Sequence, residues 1–172
     1  MYEEELKIPK DRVAVLIGKK GETKRAIQSR TKTKIRVSKE GDVEITAEES
    51  VSTFIAVPIV RAIGRGFNPE IAMMLARDNF YLEVIDMRAF SKDSKARMQS
   101  IRARLIGTQG KAWKMLEQLT NCHLAVHGRT AAVIGGVEEV QIARQAVEKL
   151  LGGSPHSNVY HFIESQMENL HH

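Results

Sequence analysis

A short glycine signature occurs twice in this chain, at positions 89 residues apart. The two copies read Ile17-Gly18-Lys19-Lys20-Gly21-Glu22 and Ile106-Gly107-Thr108-Gln109-Gly110-Lys111. A glycine pair at this spacing is common in turns, but here the surroundings repeat without a gap. Thr31, Ile35 and Ile45 are matched by Thr120, Leu124 and Ile134. Because internal repeats fix the architecture before any local pattern does, the chain is predicted to contain two copies of one module.

Basic residues cluster around both glycine pairs. Lys7–Arg36 holds 11 lysines and arginines against two acids, and Arg88–Lys114 holds eight against one. The formal net charge of the whole chain is only +5, so the distribution is more informative than the total. Basic charge concentrated in one region of each repeat is typical of a surface that binds a polyanion such as nucleic acid.

Hydrophobic periodicity and turn residues predict the same order of elements in both copies. We predict a strand, a helix, the glycine loop, a second helix, a two-stranded hairpin and a long final helix. The final helices are predicted over 50–63, with a kink or break at Pro58, and over 137–151. Asp11 is predicted to cap the first helix, and Phe67–Asn79 to be a connecting helix capped by Asn68.

The predicted fold class is α+β, with two tandem modules packed together and a C-terminal helix. Small modules bury a low fraction of their surface when alone, so we expect them to share an interface. The predicted boundaries are residues 1–66 for the first module, 67–79 for the connecting helix, 80–153 for the second module and 154–172 for a C-terminal helical extension.

The glycine loops have a chemistry suited to binding a nucleic-acid strand. Two glycines between two helices let the backbone turn sharply and let a sugar-phosphate strand approach the main chain. The following helix directs free N–H groups and the positive end of its dipole at the same place. This arrangement resembles the KH domain, whose G-x-x-G loop clamps about four nucleotides of a single strand. The order β-α-α-β-β-α matches the type I KH topology, and the resemblance implies single-stranded RNA as the ligand.

The candidate RNA-binding residues are the loops themselves and the cations near them. In the first module they are Ile17, Gly18, Lys19, Lys20, Gly21, Lys24, Arg25, Lys34 and Arg36. In the second module they are Arg102, Arg104, Ile106, Gly107, Thr108, Gln109, Gly110, Lys111 and Lys114. The second loop is polar but uncharged at its variable positions, so we expect it to contribute more sequence reading and less electrostatic attraction. Trp113 either stacks on a base or packs against a neighbouring helix.

The sequence favours a binding protein over an enzyme. It contains no P-loop, no H-E-x-x-H and no cysteine pair for zinc. His123 and His127 are four residues apart, but on a strand and turn, where that spacing does not build a metal site. We therefore expect no catalytic residues, no metal and no cofactor. No apolar run approaches the ~20 residues that span a bilayer, and the N-terminus lacks the apolar region of a secretory signal, so a cytoplasmic location is expected.

Three further stretches resemble a narrower family. They are Ala62–Glu70, Tyr81–Asp86, and Gly153–His156 followed by Val159-Tyr160. Together with the tandem KH modules, they resemble the archaeal relatives of the partner-of-Nob-one ribosome assembly factors. This resemblance implies binding of small-subunit rRNA near its 3′ end, beside the endonuclease that matures that end. Eukaryotic members have lost the first glycine loop and use that module for protein contacts, whereas this chain keeps it. The family usually carries a basic residue at the position of Trp113.

Other functions stay open on the sequence alone. In one, the protein is an interaction scaffold in which a module or the C-terminal helix recruits an endonuclease or a translation initiation factor. In another, it is a different KH-type RNA regulator.

Overall fold

The computed structural model describes residues 1–171, which form two compact units. The first unit is Met1–Phe80, and the second begins at Tyr81. The predicted C-terminal extension, residues 154–172, ends at one residue that lies outside the described range.

The first unit contains the predicted elements around a three-stranded antiparallel sheet. They are β1 (Tyr2–Lys7), α1 (Val13–Ile17), α2 (Glu22–Thr31), β2 (Lys34–Val37), β3 (Asp42–Ala47), α3 (Ser50–Gly64) and α4 (Pro69–Ala72). The strand order is β1-β3-β2, with Glu4 and Ile35 both opposite Ile45. Ile35 and Ile45 are buried because α2 and α3 cover their face of the sheet. The largest fully buried side chains of this unit are Leu16, Ile27, Ile35, Ile45, Ile59 and Ile63.

The second unit repeats this architecture and adds a helix at its C-terminal end. Its elements are β4 (Phe80–Asp86), α5 (Arg88–Ser91), α6 (Lys95–Ile106), α7 (Lys111–Thr120), β5 (His123–His127), β6 (Thr130–Gly136), α8 (Val137–Leu151) and α9 (His156–Leu170). The strand order is β4-β6-β5. Helix α9 packs on α7 and α8 and buries Val159 and Ile163 completely. Cys122 belongs to the same core, where burial raises the pKa of its thiol to about 12, so it acts as a packing residue.

The start of the first helix differs from the prediction. A single 3-10 turn, Lys10–Arg12, precedes α1, and Pro9 occupies the cap position of that turn. The prediction that Asp11 caps the helix is therefore wrong. Pro9 has φ −60° and ψ 144°, so it ends the extended segment two residues earlier than the helical periodicity indicated.

Two predictions about helix length also need correction. Helix α3 is continuous through Pro58, so of the predicted kink or break the break is absent. Pro58 has no N–H, so the carbonyl of Phe54 is the one helix carbonyl that loses its partner there. The segment predicted as one connecting helix over 67–79 contains only α4 and a 3-10 turn, Met73–Ala76. Its predicted cap is confirmed, because Asn68 Oδ1 accepts a hydrogen bond from Ile71 N at 2.9 Å.

Candidate nucleic-acid interface

The two glycine loops have nearly identical backbone conformations. Gly18 has φ 76° and ψ 172°, and Gly107 has φ 77° and ψ 171°. At the second variable position, Lys20 and Gln109 are both left-handed, with φ 55° and 56°. Glycines Gly21 and Gly110 complete the turns with φ 76° and 75°. Two different loop sequences therefore adopt one shape, which is the shape that the repeat predicted.

The first and second glycines of each loop have different roles. A Cβ at Gly107 would lie 2.7 Å from the Cβ and N of Ala112, and one at Gly18 would meet Thr23 equally closely. These glycines are needed so that the two helices can pack at the turn. A Cβ at Gly110 would meet nothing within 4 Å, whereas one at Gly21 would lie 2.9 Å from Nη1 of Arg25. The second glycine of module two therefore faces open space, where a ligand backbone has room to approach.

The helix after each loop begins without a side-chain cap. Helices α2 and α7 are each 10 residues long, and their cap positions are Gly21 and Gly110. Within residues 1–171, no side chain caps either helix, and the first N–H of each, at Glu22 and Lys111, donates to the carbonyl of Lys19 or Thr108 in the preceding turn. The positive end of each helix dipole therefore lies directly beside the glycine loop, where it favours an anion.

Cations surround the loop of the first module. Lys19 and Lys20 are exposed, and Lys24 is half-buried. Arg25 donates from Nη1 to the carbonyl of Lys20 at 2.6 Å, which holds its guanidinium over the loop. These four side chains give the first loop a concentrated positive charge.

The strand cations predicted for the first module lie elsewhere. Lys34 and Arg36 alternate with buried Ile35 on β2, so they project from the opposite, solvent-facing side of the sheet. Arg36 lies opposite Glu44 in the strand register. The structure thus separates these two residues from the helix face that carries the glycine loop.

The predicted residues of the second module divide into two groups. Thr108, Gln109, Lys111 and Lys114 are exposed on the loop and on α7. Arg104 is engaged within the module, because its guanidinium donates to the carbonyls of Leu150 and Ser154. The structure therefore gives Arg104 an internal role at the C-terminal end of α8.

Arg102 differs from Arg104. It is half-buried, and its buried Nε has no hydrogen-bond partner among residues 1–171. A buried guanidinium nitrogen without a partner is costly unless a ligand or water completes it. Arg102 therefore remains a candidate contact.

Three further side chains were candidates near the two loops. Ile17 and Ile106 are half-buried at the helix ends that enter the loops, where they can form the apolar floor. Trp113 is half-buried and packs against the core of the second unit. This contact agrees with the packing interpretation of Trp113.

The sequence interpretation missed a pair of positioning residues. Gln28 Oε1 accepts the N–H of Ile35 at 2.8 Å, and Glu117 Oε2 accepts the N–H of Leu124 at 2.9 Å. Both bonds join the helix after the glycine loop to the neighbouring edge strand. Gln28 and Glu117 are 89 residues apart, so the repeat register contained the signal.

The structure also brings together three carboxylates that the sequence interpretation did not single out. The side chains of Glu3, Glu5 and Glu44 lie within 4.8 Å of one another on the solvent-facing side of the first sheet. Exposed acidic clusters of this kind are common on protein surfaces without a bound ion.

Family models match both units. The KH domain model matches residues 3–56, and the eukaryotic type KH-domain (KH-domain type I) model matches residues 81–168. The fold and the loops thus define a tandem type I KH-domain protein, as predicted.

The relatives narrow the class further. A KH domain-containing protein of Methanocaldococcus jannaschii is 43% identical over 169 residues, which are 96% of this chain and 74% of that protein. A chain in the solved a/eIF2α–aDim2p–rRNA complex of Pyrococcus horikoshii is 42% identical with a TM-score of 0.91, covering 98% of this chain and 95% of that chain. The pre-rRNA-processing protein PNO1 of Debaryomyces hansenii is 28% identical over 102 residues, which are 59% of this chain and 40% of that protein.

This chain belongs to the family of tandem KH-domain proteins that includes archaeal Dim2p and PNO1. The family is one of RNA-binding ribosome assembly factors and not a known class of enzyme. Among the helices of residues 1–171, none has both the length and the apolar character needed to cross a membrane.

Proposed function

We propose that this protein binds single-stranded RNA along its glycine loops and assists assembly of the small ribosomal subunit near the 3′ end of its rRNA. The observation that carries the proposal is the shared backbone geometry of the two glycine loops, each followed at once by a helix that no side chain caps. The Pyrococcus horikoshii relative occurs in a complex with rRNA, and the Debaryomyces hansenii relative is a pre-rRNA-processing protein.

The proposed RNA contacts follow from exposure and geometry. In the first module, Lys19, Lys20, Lys24 and Arg25 would neutralise phosphates, and Ile17, Gly18 and Gly21 would shape the groove. In the second module the corresponding set is Arg102, Ile106, Gly107, Thr108, Gln109, Gly110, Lys111 and Lys114. Arg104, Lys34 and Arg36 are not included, because Arg104 is bonded within its module and the other two lie on the opposite sheet face.

A protein partner is part of the proposal. The Pyrococcus horikoshii complex contains the α subunit of an initiation factor, so a translation factor is the favoured partner. An rRNA-processing endonuclease is the second candidate, from the family resemblance. That the protein has no catalytic activity of its own, and that it is cytoplasmic, stay predictions from the sequence, as do the module boundaries at residues 66, 80 and 153.

Gly110→Asp tests the groove of the second module. A KH groove accepts unpaired bases, so the wild-type protein is expected to prefer a single strand over the same sequence in a duplex. The added carboxylate would face the RNA backbone and should lower single-strand affinity about tenfold, equivalent to ~1.4 kcal/mol. Fluorescence anisotropy titrations at low salt measure both quantities.

Gly110→Asn is the matched control, because asparagine has a similar shape, tolerates the same left-handed backbone and carries no charge. It should lose less affinity than Gly110→Asp. If both variants bind RNA as the wild type does, or if duplex and single strand bind equally, the groove of module two is not the RNA site.

A further inference from the structure

The first unit exposes an apolar face that the glycine loop does not use. Phe54 is 79% exposed, Val51 53% and Tyr2 51%. With Val57 and Pro58 they surround a shallow depression of about 640 Å³ between α3 and β1, which Glu3 and Glu4 also line. Exposed apolar side chains grouped in this way mark interaction surfaces more often than scattered single ones do.

The second module contains the same helix with a polar outer face. Helices α3 and α8 both have 15 residues, and aligned from their first residues they share six buried positions. Thr53, Ala56 and Val60 are matched by Val140, Ala143 and Val147, all buried. On the outer face, however, Phe54 is matched by Gln141 and Val57 by Arg144. The apolar face is therefore a property of module one and not of the fold.

The neighbouring strands show what the polar residues do in the second module. Ile8 and Met87 occupy equivalent positions just after β1 and β4. The N–H of Ile8 donates to the carbonyl of Gly41, and the N–H of Met87 donates to the carbonyl of Arg129. Glu4 and Glu83 each lie four residues before these positions, so they are equivalent as well. Glu83 accepts hydrogen bonds from Gln141 at 3.1 Å and from Arg144, with which it forms an ion pair.

Glu4 has no such partners. It lies opposite Ile45 on the helix side of the sheet, beside the depression that Phe54 and Val57 line. Among the contacts within residues 1–171, none is a hydrogen bond or ion pair of the Glu4 side chain. Module one therefore keeps the carboxylate, Glu4, that corresponds to Glu83. It has apolar Val57 where module two has the cation Arg144.

We propose that this face is the docking site for an amphipathic helix of a partner protein. The partner would place apolar side chains on Val51, Phe54 and Val57 and a lysine or arginine on Glu4, where Arg144 meets Glu83 in module two. Val51, Phe54 and Pro58 have the i, i+3, i+7 spacing of a ridge along which another helix can pack. The carboxylate of Glu4, unpaired among the described residues, repels phosphates, so the occupant is a protein and not RNA.

The test uses the full chain and two synthetic helical peptides of about 18 residues, a length at which isolated helices begin to form. Both peptides carry one leucine stripe, and one has lysines flanking the stripe where the other has glutamates. The lysine peptide is expected to bind the wild type and the glutamate peptide is not. Phe54→Gln with Val57→Arg copies the outer face of module two and should weaken lysine-peptide binding by about tenfold or more.

Three controls keep the result interpretable. Glu70→Gln, which removes an exposed carboxylate on α4 that does not line the depression, should leave peptide binding unchanged. RNA affinity should be unchanged in every variant, which separates this proposal from the RNA-binding one. Should the double variant fail to fold by circular dichroism, Glu4→Lys replaces it and should reverse the preference toward the glutamate peptide.

The proposal is overturned if the two peptides bind equally or if neither binds. It is also overturned if the folded double variant binds the lysine peptide as tightly as the wild type. A third outcome that overturns the proposal is measured by analytical sedimentation. A concentration-dependent dimer that the double variant abolishes would show that a second copy of this chain, and not a partner protein, occupies the face.

Discussion

Arg12 and Arg104 perform the same task in the two modules from positions that the repeat does not align. Arg12 donates to the carbonyls of Ile63 and Phe67, at 2.7 and 2.8 Å. Arg104 donates to those of Leu150 and Ser154. The four acceptors correspond pairwise at and just beyond the C-terminal ends of α3 and α8, where helix carbonyls have no partner within the helix. In the glycine-loop register, however, Arg104 aligns with Val15.

This internal role predicts that Arg104 contributes to stability and not to RNA affinity. Arg104→Gln removes two hydrogen bonds from a charged donor and should lower the free energy of unfolding by about 1–3 kcal/mol. Urea unfolding measures the loss, and an RNA titration of the same variant should match the wild type. Lys111→Gln should have the opposite effect: the free energy of unfolding should be unchanged and the RNA affinity should fall. A large RNA defect in folded Arg104→Gln would restore Arg104 to the groove.

Only some residues of the candidate RNA-binding site could be identified from the sequence. The loop glycines and their cations are adjacent in sequence, so the local pattern was enough to identify them as candidates. Arg104 looked like a groove residue because it precedes the second loop by three positions. Its partners are 46 and 50 residues away, and no local pattern reports such contacts.

At the scale of elements, the groove depends on how a helix and an edge strand are joined. Strands β2 and β5 lie at sheet edges, and Gln28 and Glu117 each bind one N–H of such a strand. These bonds fix the helix after the glycine loop relative to the strand. They also occupy edge groups that would otherwise be available to another strand.

Gln28→Leu should loosen this connection. The partly buried N–H of Ile35 would lose its partner, which costs about 1–3 kcal/mol of stability. Hydrogen exchange of the Ile35 amide should accelerate, and RNA binding by module one should weaken. Gln28→Glu copies the second module and should keep both close to wild type. Unchanged Ile35 protection in Gln28→Leu would show that the bond does not hold the strand.

Strongly periodic elements could be predicted well, whereas short ones could not. Helix α8 has the predicted bounds because its apolar positions recur over four turns and a glycine precedes and follows it. The short helix α5 was not predicted, since four residues give no periodicity. The 3-10 turn before α1 is short in the same way. Its geometry depends on Pro9 and on tertiary packing more than on hydrophobic spacing.

At the scale of the whole molecule, the two loops offer two binding sites with different charge. Lys19 and Lys20 occupy the variable positions of the first loop, and Thr108 and Gln109 those of the second. Phosphate binding should therefore dominate in module one. Contacts that depend on sequence should contribute more in module two.

Salt dependence should show how many modules engage one RNA. If each groove neutralises about three phosphates, the log–log salt slope should be near −2 per engaged module, from about −0.7 per phosphate. Lys19→Asp with Lys20→Asp should remove the share of module one, and Gly110→Asp that of module two. Titrations of a long single strand over a range of salt concentrations measure the slopes. A wild-type slope near −2 that only one of these variants changes would mean that one module binds alone.

The family resemblance was visible in the sequence, but the difference between the modules was not. The loops repeat at a spacing of 89 residues, whereas α3 and α8 align at 87, because Glu48 and Glu49 lengthen the connection before α3. If the 89-residue spacing of the loops were applied to these helices, Phe54 would align with Ala143. The difference between the outer faces of α3 and α8 would then not be seen. The helix bounds of the structure were needed to align Phe54 with Gln141.

The unequal crowding at the two glycines of a loop also bears on how such duplicated modules diverge. A change at Gly107 disturbs helix packing, so selection for a folded protein acts against it whatever the module binds. A change at Gly110 meets no neighbouring atom and is opposed only by the left-handed backbone at φ 75°, so a lineage that no longer needs RNA at that site can lose the second glycine first. In degenerate copies of this module, the first glycine should therefore outlast the second. The order in which the two glycines are lost would then show how RNA binding was lost in each copy.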